Sequence, residues 1–287
     1  MSLIAGVLAA YHRSGLRGSH RLTGLLASRL PSLRELRVTT RNGIIYVDLN
    51  IASARAILAD PDSHSGEERV INHFVIPGDT VFDIGAHFGV YTLLMSRLVG
   101  VEGRVVAFEP NSEVLPSLRK TVSDIANVRL LEHALSDISG TLDFFVPEDA
   151  SMASLRDWSG GTGGKVHKLS CETRRLDDLV AYGLPVPGFV KCDVEGAELS
   201  IFEGARDTFD RVAAPVIMFE IVRQAATAFG QTPGDYISVL KSFEQAQYRF
   251  FEVIPDGIAR LESDEIEYAN VLAVPANRSE SVEALLI

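Results

Sequence analysis

The apolar positions of this chain change period along its length, and each change marks an element. Through residues 1–35, Leu22, Leu25, Leu26 and Leu30 recur at helical spacing. Ser14-Gly15 interrupts that helical segment and Pro31 stops it. Residues 36–49 alternate around Arg41-Asn42-Gly43, and Asn-Gly is the strongest short hairpin signal. A short helix over 52–58, a loop at 62–66 and a helix over 67–75 follow. Val81, Phe82 and Ile84 then form a buried-strand run, marked off upstream by Pro77-Gly78-Asp79. Beyond Gly85 and Gly89, Val90, Leu93, Leu94 and Leu98 resume the helical period.

The alternation continues to the end of the chain. Strands are expected at 104–108, 128–135, 140–146, 188–192, 216–221, 249–254 and 268–274, the last two antiparallel. Helices are expected at 112–125, 175–182, 195–209 and 233–246. This pattern predicts an α/β fold with a doubly wound, mostly parallel, seven-stranded sheet. Residues 1–65 form an N-terminal extension of helices and a β-hairpin, and 66–287 form the ligand-binding domain. Residues 147–165 are poor in apolar positions and contain Gly160-Gly161-Thr162-Gly163-Gly164, the mark of a mobile loop.

Composition narrows the function. The formal net charge of −11 lacks the basic footprint of non-specific nucleic-acid binding. Arginines do cluster early, at 13, 17, 21, 29, 34 and 37. They read as a solvated face, with a surface for an acidic partner as the alternative. The two cysteines, Cys171 and Cys192, form no CxxC pair, so neither a zinc site nor a disulfide framework is expected and a reducing cytoplasm is the default. Residues 1–10 are apolar but have no basic start, so they read as a helix packed on the domain rather than a signal peptide or a membrane-surface helix. No apolar run reaches membrane-spanning length.

The chemistry centres on the strand-to-helix joint from Asp83 to Thr92. A joint of this kind leaves free N–H groups and a positive dipole end at the helix start. Only Gly85 and Gly89 bracket the turn, with Ala86, His87 and Phe88 between them. A dinucleotide needs a further glycine for its pyrophosphate, which counts against a nicotinamide-dependent oxidoreductase. S-adenosylmethionine (SAM) carries no phosphate, and Asp83 is placed to approach its α-amino group. Glu109 ends the next strand, where an acidic residue takes ribose hydroxyls. Ser136, after Ala134-Leu135, is placed to bound the adenine. Asp193 ends another strand, Glu195 follows it and Glu220 ends the next. Carboxylates at one sheet edge suit a general base, a divalent metal or substrate hydroxyls. Glu198 reads as a helix-dipole partner. Gly160–Lys165 lacks P-loop spacing, and the histidines show no metal spacing; His64 alone is flagged, as a general base.

These motifs stand in a familiar order. Pro77-Gly78-Asp79, Asp83-Ile84-Gly85-Ala86, Tyr91-Thr92-Leu93, Val106-Ala107-Phe108-Glu109-Pro110, Asn127-Val128, Ala134-Leu135-Ser136-Asp137, Leu176-Asp177-Asp178-Leu179 and Lys191 through Glu198 together resemble the FkbM family of SAM-dependent methyltransferases. The resemblance covers about residues 66–222. It implies a Rossmann-like class I methyltransferase domain, with SAM on Asp83, Gly85, Ala86, His87, Gly89, Tyr91, Thr92, Glu109, Pro110, Ser136 and Asp193. It also implies O-methylation of a hydroxyl on a sugar, glycan or secondary metabolite, with Asp193, Glu195 and Glu220 as the catalytic candidates. His87 departs from the family, which commonly has Asn there. A divalent metal, a homo-oligomer and a non-catalytic SAM-binding role stay open.

Overall fold

The computed structural model describes residues 3–13, 19–62, 66–147, 150–160 and 165–287. The Ser14-Gly15 interruption, His64 and Gly161 through Gly164 lie outside the described residues. The N-terminal part holds α1 (Leu3–Arg13), α2 (Ser19–Arg29), the hairpin β1 (Leu36–Thr40) and β2 (Gly43–Val47), and α3 (Ala52–Ala59). Next come α4 (Gly66–Phe74), β3 (Thr80–Ile84), α5 (Val90–Val99), β4 (Arg104–Phe108), α6 (Leu115–Val122), β5 (Val128–Leu131) and β6 (Ala134–Leu135). β7 (Gly140–Val146), β8 (His167–Arg174), α7 (Leu176–Ala181), β9 (Phe189–Cys192), α8 (Glu198–Glu203) and α9 (Arg206–Phe209) follow. The chain closes with β10 (Val216–Val222), α10 (Arg223–Ala228), α11 (Pro233–Lys241), β11 (Arg249–Ile254), β12 (Gly257–Arg260) and β13 (Tyr268–Val274).

The fold class is as the alternation predicts, with an eighth strand in place of the expected seven. The main sheet runs β12-β11-β13-β10-β9-β3-β4-β5. β10, β9, β3, β4 and β5 are mutually parallel, and β13 lies antiparallel between β10 and β11. The extra strand, β12, folds back on β11 through a tight turn at Pro255-Asp256, pairing Ile254 with Gly257. Its four residues are too few to show an alternating pattern. The strand expected at 128–135 divides into β5 and β6. β6 leaves the main sheet to join β8 and β7 in a separate three-stranded sheet. The helix expected over 195–209 starts only at Glu198 and divides at Gly204. A Cβ on Gly204 would run into the Ser136 carbonyl, so the close approach there requires glycine.

β3 and β9 are covered on both faces, which is why Val81, Phe82, Ile84, Phe189, Val190 and Cys192 are all buried. Among the described residues, the N-terminal part has no separate core. Leu8, Leu33, Val38, Ile45 and Leu58 pack in one cluster with Phe88, Val114 and Phe144 of the main domain. Chain order reverses between β3 and β9: β4 and β5 lie to one side, β9 and β10 to the other. Ligands bind in open α/β sheets at such a switch point, outside the carboxyl ends of the strands.

Candidate active site

A cleft opens at that edge. It is lined by Gly85, Ala86, His87, Tyr91, Glu109, Pro110, Asp193 and Glu195, all anticipated from the sequence. The turn after β3 is the floor. Gly85 holds φ +86, and a Cβ there would overlap the Asp193 carbonyl oxygen, so two strand ends meet only across a glycine. Its N–H and that of Ala86 both donate to the Phe108 carbonyl at 3.0 Å, tying the turn to β4. His87 is left-handed at φ +51, and its N–H donates to Glu109 Oε2 at 2.8 Å. Its ring meets Phe88 edge-on at 4.2 Å, and its Nε2 lies 3.2 Å from Ser53 Oγ of α3.

Glu109 is the anchor of this half. It is buried, with Oε1 accepting from the Asn111 N–H and Oε2 from the His87 N–H, each at 2.8 Å. Burial pushes its carboxyl up to about 7 despite those two donors. Beside it, Asn111 is 2% exposed. Its Oδ1 accepts from the Glu113 N–H, while its Nδ2 is buried without a partner. His133 stacks edge-on against Phe108 at 5.9 Å and leaves a buried Nε2 without a partner. Burial holds its imidazole below the usual histidine range. Both residues line the cleft. Unpaired buried polar atoms facing a cleft are costly unless a ligand meets them. Sequence reading misses both. Asn111 reads as a helix cap and His133 as one of several scattered histidines; only the fold brings them beside Glu109.

Four residues expected to touch the cofactor lie outside the cleft lining. Asp83 is 1% exposed beneath the turn. Its Oδ2 accepts from the Thr92 hydroxyl at 2.5 Å, and Thr92 is fully buried. The pair fastens β3 to α5 under the loop. Gly89 is the left-handed N-cap of α5, close against Leu118 and Thr121. Ser136 is buried, its N–H bound to the Arg174 carbonyl and its hydroxyl to Asp137.

The reacting half gathers the acidic candidates. Carboxylate oxygens of Asp193, Glu195 and Glu220 all lie within 4.8 Å of one another. Lys191 Nζ donates to Asp193 Oδ2 at 2.8 Å and sits 4.7 Å from the centre of the Tyr91 ring. Burial opposes the lysine charge, but Asp193, Asp83 and Tyr91 outweigh it and hold the ammonium well above its ordinary range. Glu195 stands at φ +58 in the turn after β9. Burial first, then Asp193 and Glu220, push it up to about 10, so it is protonated at neutral pH. Burial and Asp193 push Glu220 up to about 7, while a hydrogen bond from Tyr268 opposes the shift. Glu198 is more than a dipole partner. It is 1% exposed, and its oxygens accept from Val194 N–H at 2.9 Å and Gly196 N–H at 3.0 Å, clamping the turn that presents Asp193 and Glu195.

The described part of the 147–165 segment covers the cleft through Ala150, Ser151, Ala153 and Leu155. The Ser154 hydroxyl donates to the Val194 carbonyl at 3.2 Å, and Gln224 donates to the Trp158 carbonyl at 3.0 Å.

Residues 83–250, more than half of the chain, match the methyltransferase FkbM domain. The chain belongs to this family. Among similar proteins, the 2-O-methyltransferase NoeI of Sinorhizobium fredii is 26% identical over 171 residues, covering 55% of this chain and 70% of that protein. The hexuronic acid methyltransferase AglP of Haloferax volcanii is 31% identical over 137 residues, covering 47% of this chain and 53% of that protein, about half of its length. The crystal structure of methyltransferase FkbM from Methylobacillus flagellatus superposes with a TM-score of 0.43 at 15% identity, over 89% of this chain and 60% of that one. The family match makes this chain a SAM-dependent methyltransferase and sets aside the nicotinamide reading. Among the described residues, no helix is long and apolar enough to cross a membrane.

Proposed function

We propose that this methyltransferase methylates a hydroxyl of a sugar or glycan, and that Asp193 accepts the hydroxyl proton. Bound SAM supplies an electrophilic methyl group on a sulfonium. The donor set fits it: Glu109 offers a buried carboxylate for the ribose hydroxyls, and Asn111 Nδ2 and His133 Nε2 offer unpaired atoms beside it. Gly85 lets the turn after β3 lie directly against the Asp193 backbone carbonyl.

The observation that carries the reading is the unequal surroundings of the three carboxylates. Lys191 holds one oxygen of Asp193, while Glu195 is pushed up to about 10. Asp193 therefore serves as proton acceptor, and protonated Glu195 as a hydrogen-bond donor that orients the acceptor. Ala150, Ala153 and Leu155 line the same cleft as Asp193 and Glu195 with apolar side chains. Holding the acceptor oxygen in line with the methyl supplies much of the remaining rate. The names of the two relatives, a 2-O-methyltransferase and a hexuronic acid methyltransferase, support a sugar acceptor.

A divalent cation on Asp193, Glu195 and Glu220 is the second reading, favoured by the closeness of their oxygens. Incubation with labelled SAM and a panel of sugars and glycans tests the proposal. Label should appear as an O-methyl ether. SAM binding with no transfer to any hydroxyl would favour a non-catalytic binder instead.

A further inference from the structure

The first 34 residues contain five arginines and no acidic residue, in a chain whose net charge is −11. Two helices carry this segment, and each turns one face to the rest of the protein. On α1, Leu8, Ala9 and His12 are buried, while Val7 is 62% exposed. On α2, Thr23 and Ala27 face inward, while Leu22 and Leu25 are 44% and 51% exposed. At helical spacing Leu22, Leu25 and Arg29 share one stripe, and Leu30 extends it. Arg29 on this helix is exposed, as are Arg34 and Arg37 just beyond it in the chain. The outer surface of this segment is thus apolar and cationic, and the first acidic residue of the chain, Glu35, comes just after it.

We propose that the outer face of α1 and α2 docks on an anionic lipid surface. Amphipathic helices that lie in a membrane interface bury leucines among the acyl chains and set arginines against the headgroups. Charge complementarity selects the occupant. Basic residues beside an anionic leaflet are attracted to it, while the acidic remainder of the protein is repelled, so the protein is oriented with this face down. The catalytic cleft lies one helix away. α3 packs on both α1 and α2, and its Ser53 lines the cleft and meets His87. Docking would hold the cleft beside hydroxyl groups presented at the membrane.

Co-sedimentation of the full chain with phosphatidylglycerol vesicles and with phosphatidylcholine vesicles tests this. The protein should pellet with the anionic vesicles, stay free of the zwitterionic ones, and be released by high salt. Two variants, L22S/L25S and R29E, should each lower the bound fraction about tenfold while SAM still raises their melting temperature as in the parent. Failure to pellet with anionic vesicles overturns the proposal, as does equal pelleting of folded variants and parent. A concentration-dependent dimer that L22S/L25S dissociates would also overturn it, by assigning the face to a second copy.

Discussion

Lys191 and Asp193, two residues apart across the end of β9, are joined by a 2.8 Å hydrogen bond from ammonium to carboxylate. Lys191 is 4% exposed and is the cation placed among Asp193, Asp83 and the Tyr91 ring. A strand alternates its side chains, so positions two apart share a face, and the pairing is built into the sequence Lys-Cys-Asp. Its effect is to set a cation against Asp193 in a neighbourhood where burial pushes Glu195 up to about 10. Replacing the lysine by methionine keeps the volume and removes the charge. Turnover should then fall by about a hundredfold, and the acidic limb of the pH–rate profile should move to higher pH. An unchanged profile would mean that Lys191 only fills space.

In the proposed site Glu109 takes the ribose hydroxyls more strongly as a carboxylate than as a neutral acid, and its carboxyl is pushed up to about 7. SAM affinity should therefore weaken as pH falls below 7, by about tenfold per unit at the steepest. Isothermal titration across pH 5 to 8 would check this. Glu109→Gln should bind SAM roughly ten to a hundred times more weakly and lose the pH dependence.

The same burial makes stability without ligand depend on pH. Glu109 and Glu220 are raised to about 7 and Glu198 to about 8, from an ordinary 4.5. A carboxyl with a raised folded pKa binds its proton more tightly when folded. Its contribution is present below 4.5 and is lost as pH rises through the folded value. The melting temperature of the ligand-free protein should fall from about pH 5 to about pH 8, with Glu195 extending the decline. A rising curve over that window would contradict the burial of these groups.

Gly85→Ala sets a Cβ against the Asp193 carbonyl at a residue held at φ +86. Both strain and overlap should cost stability, on the order of 2 to 4 kcal/mol together. Thermal or urea unfolding would measure it, and transfer should fall further than stability alone explains, because Asp193 moves with its carbonyl.

Much of this site is legible in the sequence, and what is not has physical causes. Strand ends carry their carboxylates at fixed places, so the residue pattern alone assigns Glu109, Asp193 and Glu195 to one edge. Depth is not legible. Asp83 and Thr92 read as ligand contacts because they flank the glycine turn, yet they bond to each other beneath it. Glu198 reads as an ordinary helix-start acid, yet it clamps the turn. Asn111 and His133 gain their roles from packing between β4 and β6, which no local pattern records. β12 escapes notice because four residues give too short a signal, and the split of 128–135 because one apolar run serves two sheets.

Chelation separates the two readings of the carboxylate group. If Asp193 acts as a base, transfer in EDTA should stay within about twofold of the untreated rate, since no metal lowers the hydroxyl pKa. A loss restored by magnesium or manganese would favour the cation.

The central claim is that Asp193 takes the acceptor proton, and the Asp193→Asn variant measures it most directly. Single-turnover transfer from labelled SAM should fall by a factor of about 100 to 10,000, with SAM affinity within about threefold of the parent. Transfer persisting near the parent rate, with SAM binding intact, would contradict the assignment and move the base elsewhere in the cleft.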